Sequence, residues 1–244
     1  MGKQLFKDGQ FKEAAELFEA ISLRKDHTGE ELSEDIAMTV NSFRRLRQEA
    51  KIDDFLEKVV ETHSENWRAY WSASEALSNS SHHGYIVAGE FSRGNHRGGG
   101  RYVSTYERDR VRVLDWLFKA HALMPDETDG ELAANFYAFF SNQMAAQRMG
   151  NQAWKLQQLT DVENLPEYED RFGDGDGGGT NIGAPVTEDG QPVYDNIPES
   201  LATAKSDGER LRWLLEAVAK ALASRRNKID YQFASFALQQ FGVR

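Results

Sequence analysis

No cysteine occurs among the 244 residues. Disulfides, thiolate nucleophiles, iron-sulfur clusters and the usual structural zinc sites are thereby excluded together. The compartment stays open, because cysteine-free chains occur in reducing and oxidising spaces alike. Also missing is any apolar run approaching the roughly 18 to 20 residues that cross a bilayer, and the N-terminus shows no charged region followed by an apolar stretch. No direct membrane insertion is expected. The sequence has no Gly-x-Ser-x-Gly elbow, no His-Glu-x-x-His pair and no Gly-Lys-Ser or Gly-Lys-Thr of a Walker loop, so no catalytic residues are assigned and no cofactor is expected. Bases are scarce in one stretch: residues 161–200 hold 11 Asp and Glu against Arg171 alone, while the remainder balances 28 acids with 28 bases. The net charge of -10 therefore sits in a single loop. A chain of this balance is a poor general binder of nucleic acid, since neutralising phosphates takes clustered Lys and Arg.

What is present is apolar and aromatic. A hydrophobic fraction of 40%, with 14 Phe, 8 Tyr and 5 Trp, supplies enough bulky surface to offset chain entropy, which excludes a disordered polymer. Length allows one or two domains, and a repeat array can reach this size without closing one large core.

The opening places Gly2, Leu5 and Phe6 before an Asp8-Gly9 turn, then Phe11, Ala14, Ala15 and Phe18 on one face at three- and four-residue spacing. This is a helical hairpin with small residues where a neighbour must approach. It resembles a tetratricopeptide repeat, in which a Gly in the first helix, a Gly at the turn, an aromatic two residues later, an Ala and a further aromatic recur; the match departs near Ile21, where a second small residue is expected. The resemblance starts about seven residues into the repeat, so the chain is expected to be cut from a longer polypeptide.

Further helices are predicted at 33–48 and 52–63, carrying Ile36, Val40, Phe43 and Leu46, then Phe55, Val59 and Val60. Another runs from Glu65 to Leu77, with Trp67, Tyr70, Trp71 and Ala73 on one side. Its partner is delayed by a Gly-, His- and Arg-rich insertion at about 79–104, which contains the strand-like run Tyr85 to Ala88. Ser104 and Glu107 read as a capping box opening a helix that ends near Pro125. Leu132, Phe136, Phe139, Phe140 and Met144 predict the first helix of a fourth pair; Trp154, Leu156 and Leu159 predict its second, after a break at Gly150. An acidic, glycine-rich insertion fills about 161–205. A second capping box at Ser206 and Glu209 opens a helix through Leu211, Leu214, Leu215, Val218 and Leu222, and a last helix carries Tyr231, Phe233 and Phe236. The reading is all-α: residues 1–244 form a single tetratricopeptide-like solenoid with two Gly-rich insertions and a small β-ribbon where Tyr85–Ala88 meets Gln191–Tyr194.

Several clusters admit a functional reading. Asp174 and Asp176, between glycines, resemble the start of a calcium loop, but an EF-hand needs an oxygen ligand where Gly178 stands and a Glu where Pro185 stands, so a solvated loop competes with metal. His82, His83 and His96 would ligate a metal if the insertion folds back. Together with Asp174 and Asp176 they define the rival reading, a metal-dependent hydrolase. Arg93, Arg97 and Arg101, spaced by glycines, carry the geometry for pairing with oxyanions; nucleic acid is not expected, for want of repetition and of net positive charge. Because the second insertion carries Glu167, Glu169, Asp170, Asp174 and Asp176, the two insertions are expected to meet. Trp67 and Trp71 read as inter-helix core, or as part of a peptide groove.

Three longer stretches, Phe91 to Arg110, Ala153 to Asp161 with Leu165 to Glu169, and Ala204 to Trp213, together with the Gly183-Ala-Pro-Val and Gln191-Pro-Val-Tyr segments, resemble the helical N-terminal region preceding the macroglobulin domains of large bacterial alpha-2-macroglobulin-like proteins. The resemblance spans most of residues 40–244. It implies a periplasmic or cell-envelope location, further domains after Arg244, and no thioester chemistry in a region without cysteine. The expected function is a non-catalytic scaffold for a protein or peptide partner, with Arg93, Arg97, Arg101, Trp67 and Trp71 as partner-binding candidates.

Overall fold

A computed structural model describes residues 1–126, 128–170, 189, 191, 193 and 195–241. The chain is mostly helical and carries a small four-stranded antiparallel sheet. It divides into two compact units, residues 1–124 with 162–173 and residues 125–161 with 174–244.

In the first unit helices α1 (Gly2–Lys7), α2 (Phe11–Ser22), α3 (Glu30–Arg45), α4 (Ile52–Thr62), α5 (Trp67–Ser78) and α6 (Tyr106–Leu123) follow one another. α1 packs on α2, α2 on α3, α3 and α4 on α5, and α5 on α6. The apolar spacing decides which faces meet: Leu32, Ile36, Val40 and Phe43 of α3, and Ile52, Phe55, Leu56 and Val59 of α4, are all buried. Phe43 and Phe55 meet edge to face at 5.9 Å. At Gly2 any side chain would strike the Phe18 ring, 2.6 Å from where a Cβ would stand, so the hairpin closes only around a glycine. Two buried hydroxyls of α3 are satisfied locally, Thr39 donating to Asp35 O and Ser42 to Met38 O.

Two helices of this unit end in the same way. After α1, Gly9 adopts φ 78°, with Gln10 N–H donating to Leu5 O and Gly9 N–H to Phe6 O. After α3, Arg47 takes the matching left-handed position at φ 56°, with Gln48 N–H donating to Phe43 O and Arg47 N–H to Arg44 O. Both are Schellman motifs, but only the first uses the residue that adopts this conformation freely.

The insertion between α5 and α6 folds into β1 (His83–Val87), β2 (Glu90–Arg93) and β3 (Arg101–Ser104), and β4 (Glu169–Asp170) adds at the edge, giving the antiparallel order β2-β1-β3-β4. β1 and β2 are joined by Ala88 (φ 52°) and Gly89 (φ 90°), the double positive φ of a type I′ hairpin. The expected ribbon partner is therefore corrected. Both edges of β1 are taken, by Ser92 opposite Tyr85 on one side and Tyr102 opposite it on the other, so β1 offers no free edge for the expected pairing, and Pro192 and Tyr194 of the expected partner lie outside the described residues.

In the second unit α7 (Gly130–Ala145) packs on α8 (Asp207–Ala221), and α9 (Arg226–Phe241) on α8. Phe136, Phe140, Met144, Leu156 and Leu214 are buried in this unit, and Ala134, Val218, Ala219 and Ile229 form one cluster of its core, flanked by Tyr137, Leu215 and Leu222. The helix expected around Trp154 is instead a 3-10 turn, Gly150–Gln157. Beyond it the chain is held extended, because Asp207 N–H donates to Gln158 O and Thr160 N–H to the Asp207 carboxylate.

The two capping boxes also differ from expectation. At α6 the N-cap is Thr105, whose hydroxyl is drawn to the buried Asp109 carboxylate at 2.7 Å, while Glu107 pairs with Arg110. At α8 Ser206 Oγ accepts from Glu209 N–H, but the Glu209 carboxylate turns to Lys205 N–H. A capping box that the sequence reading passed over lies at Ser200 and Thr203.

Candidate partner-binding groove

β2 ends on Arg93, whose side chain turns inward to about 1% exposure between α4 and α6. Asp53, in the first turn of α4, takes Nε and Nη2 at 2.8 and 2.6 Å. Asp109, in the first turn of α6, takes Nη1 and Nη2 at 2.7 and 2.8 Å, and Ser81 O accepts from Nη1 at 2.6 Å. All five N–H donors of the guanidinium are thereby used. Burial disfavours the charge on Arg93, yet the hydrogen bonds it donates to Asp109 and Asp53 outweigh that and hold the cation firmly protonated. Burial likewise pushes the Asp109 carboxyl up; the bonds from Arg93, His82 and Thr105 reverse that and keep it below the usual carboxylate range. His82 places Nδ1 2.9 Å from Asp109 and Nε2 3.2 Å from Ser78 O. This cluster joins the insertion to the helices. It is a fastener, and Arg93 is closed to a partner.

Beside it opens a groove of about 730 Å³, walled by Arg44, Arg47 and Glu49 on the helical side and by Asn95, His96 and Arg97 of the β2-β3 loop. Arg44, in the last turn of α3, donates to Asn79 O at 2.6 Å and Ser80 Oγ at 3.1 Å, capping the C-terminal end of α5 with a cation. Burial pushes the Arg44 guanidinium down, with the Glu49 carboxylate acting the other way. Among the described residues neither Arg47 nor Arg97 has an ion-pair partner, and both are exposed. Glu49 accepts from Ser81 Oγ at 3.2 Å and packs on Gly94, which has φ 80° and room for no Cβ. A second concavity of about 520 Å³, between α4, α5, α6 and residues 162–165, differs electrostatically: there Arg112 pairs with Glu57, and Lys119 with Asp115.

Residues 166–170, the described start of the acidic segment, dock on the first insertion, chiefly through Tyr168. Tyr168 stacks on Phe91 at 4.9 Å, the Arg108 guanidinium lies 4.7 Å from the Tyr168 centroid, and Arg108 Nη1 donates to Pro166 O. Arg101 pairs with Asp170 at 2.8 Å, both more than half exposed. Arg93 takes no part, contrary to expectation, because Asp53 and Asp109 hold it.

Of the partner-binding candidates, then, Arg97 lines an open groove, Arg101 is paired at the sheet edge and Arg93 is buried. Trp67 is core, 8% exposed and stacked on Trp71 at 5.8 Å. Burial raises the Glu75 carboxyl, with the Trp71 hydrogen bond opposing it. His83 stacks on Tyr102, and His96 lies beside Tyr85. With His82 bound to Asp109, the three histidines are not brought together, and no group of three or more His, Asp or Glu among the described residues is arranged to hold a metal ion. Asp174 and Asp176 lie outside the described residues. No helix among the described residues is long and apolar enough to cross a membrane.

The sequence reading missed Arg44, Arg47, Asp53 and Asp109. Asp53 stands beside Asp54 at a helix start, where the helix dipole alone accounts for an acid, and the one available signal for Arg47 is its place, with Gln48 and Glu49, between two apolar periodicities where a Gly is usual. Compared with models of protein families, with curated proteins and with solved structures, the chain gives no match.

Proposed function

We propose that this chain is a non-catalytic scaffold of stacked helical hairpins, of tetratricopeptide-like solenoid type, that binds a protein or peptide partner, and that it forms the N-terminal region of a larger alpha-2-macroglobulin-like protein. The observation that carries the binding reading is the open groove of Arg44, Arg47 and Arg97, whose cations have no carboxylate partner among the described residues, set against neighbouring charges that are paired. The helix pairing of the first unit, with Gly2 closed against Phe18, supports the repeat reading. The stretches that carry the family resemblance hold buried polar clusters: Arg93 with Asp109 in one, and Thr160 with Asp207 and Arg210 linking the other two. Side chains suited to acid-base work, Asp53, Asp109 and His82, are occupied in holding the fold, which favours binding over catalysis.

Selection of peptides from a random displayed library on the purified chain tests this reading. Enriched peptides should bind the parent and lose affinity for Arg97→Glu. Failure to enrich any peptide, with stoichiometric zinc or calcium found by elemental analysis, would replace the scaffold by the metal-dependent hydrolase. Sandwich domains encoded downstream of Arg244 would bear out the family assignment.

A further inference from the structure

We infer that the groove takes an acidic polypeptide segment of the partner, with clustered carboxylates seated between the end of α3 and the β2-β3 loop. The inference rests on the partner-binding reading and adds its chemistry. Among the described residues lining the groove, Arg44, Arg47 and Arg97 face Glu49 as the one carboxylate, while Arg93, which also reaches its wall, is more than neutralised by Asp53 and Asp109 behind it. The excess is positive inside a chain whose net charge is -10. A local basic concavity in an acidic protein suits a short acidic segment. A nucleic-acid strand needs a longer basic track and would meet repulsion from the surrounding surface.

The cations are all guanidinium groups, which pair with planar carboxylates through two parallel N–H bonds; no lysine among the described residues lines the groove. They come from two walls, Arg44 and Arg47 from a helix end and Arg97 from a loop, so they present separated positive charges, and spaced carboxylates match them better than one compact anion. Arg44 is already half-desolvated and bonded only to neutral acceptors, so an incoming carboxylate compensates a charge whose hydration is already reduced.

Arg47 supplies a separate observation. It occupies the left-handed C-terminal position that Gly9 fills in the first hairpin, and a side chain there is strained. Folding alone would be served better by glycine. What the arginine adds at that place is a guanidinium at the mouth of the groove.

The test uses the whole 244-residue chain and four probes: a glutamate-rich peptide, a lysine-rich peptide of equal length, inorganic phosphate and single-stranded RNA. The glutamate-rich peptide should bind, with affinity falling as salt rises, and Arg47→Gly and Arg97→Ala should each weaken it about tenfold. Arg47→Gly should fold at least as stably as the parent, so its loss of binding is not a loss of structure. Equal binding of the lysine-rich peptide, phosphate binding as tight as the peptide's, tighter binding of RNA, or displacement of the peptide by a second copy of the chain would each overturn the inference. If library-selected peptides bind through Arg97 while the glutamate-rich peptide does not, the scaffold reading stands and the acidic segment falls. If no peptide binds at all, both fall.

Discussion

Arg93 and Arg47 stand in the wall of one groove in opposite electrostatic states: Arg93 has every donor bonded and is 1% exposed, while Arg47 is exposed and has no ion-pair partner among the described residues. The first fixes the insertion to the helices, and the second is left to the solvent side. Substituting them should therefore have opposite consequences for stability.

Arg93→Met removes the fastener and leaves Asp53 and Asp109 facing each other without a cation. Breaking a buried pair by deleting one partner costs about 3–5 kcal/mol near neutral pH. The pH dependence follows from Asp109, whose folded-state pKa lies below its ordinary value. Such a group contributes stability above the unfolded value of about 3.9, and loses it as pH falls through the lower folded value. In the variant that contribution is gone and burial favours the protonated carboxyl. The gap between parent and variant should thus begin to narrow above about pH 4, as the variant's carboxyl takes up its proton, and narrow further below about pH 4, as the parent loses its contribution. Urea unfolding at neutral and at acid pH measures it, and a gap independent of pH would contradict the assignment.

Arg47→Gly runs the other way. The left-handed position penalises a residue with a Cβ by about 1–2 kcal/mol, part of which glycine returns as greater freedom of the unfolded chain. Net stability should stay level or rise by up to about 1 kcal/mol. A thermal melt checks this, and a clear fall would mean that the Arg47 side chain supports the fold.

The helices were legible because their signal is local. Leu32, Ile36, Val40 and Phe43 declare a buried stripe by spacing alone, and all four are buried. The meander is only half legible: Tyr85 to Ala88 has the pattern of a strand, but Ala88-Gly89 lacks the usual Asn-Gly of a tight hairpin, so nothing local marks Glu90–Arg93 as its partner. The fastener could not be read from sequence at all. Asp53, Arg93 and Asp109 lie on three elements, and nothing near Asp109 distinguishes it from any other acid early in a helix. Arg97 is legible because Gly98, Gly99 and Gly100 follow it; Arg44 and Arg47 are hidden because they lie at the end of a convincing helix, where charged residues are the rule.

Gly94→Ala probes how the groove is closed at its base. The residue has φ 80°, and a Cβ would lie against the Glu49 carboxylate, which is bonded to Ser81 Oγ. Alanine there adds backbone strain and displaces Glu49, costing about 1–3 kcal/mol. A lower melting temperature is expected, and an unchanged one would show that the loop can relax without Glu49.

Tyr168→Ala and Arg101→Glu separate two accounts of how the acidic segment is held. The charge account, natural from sequence, rests on Arg101 with Asp170, but both are more than half exposed and such pairs contribute about 0–1 kcal/mol. Tyr168 combines stacking on Phe91 with the Arg108 guanidinium over its ring, while Arg108 also bonds Pro166 O. Limited proteolysis between residues 163 and 170 reads the local opening equilibrium. Tyr168→Ala should raise the cleavage rate about tenfold, and Arg101→Glu by less than about threefold. If the order is reversed, opposite charge is the tether, and the aromatic stack merely follows the strand pairing of β3 with β4.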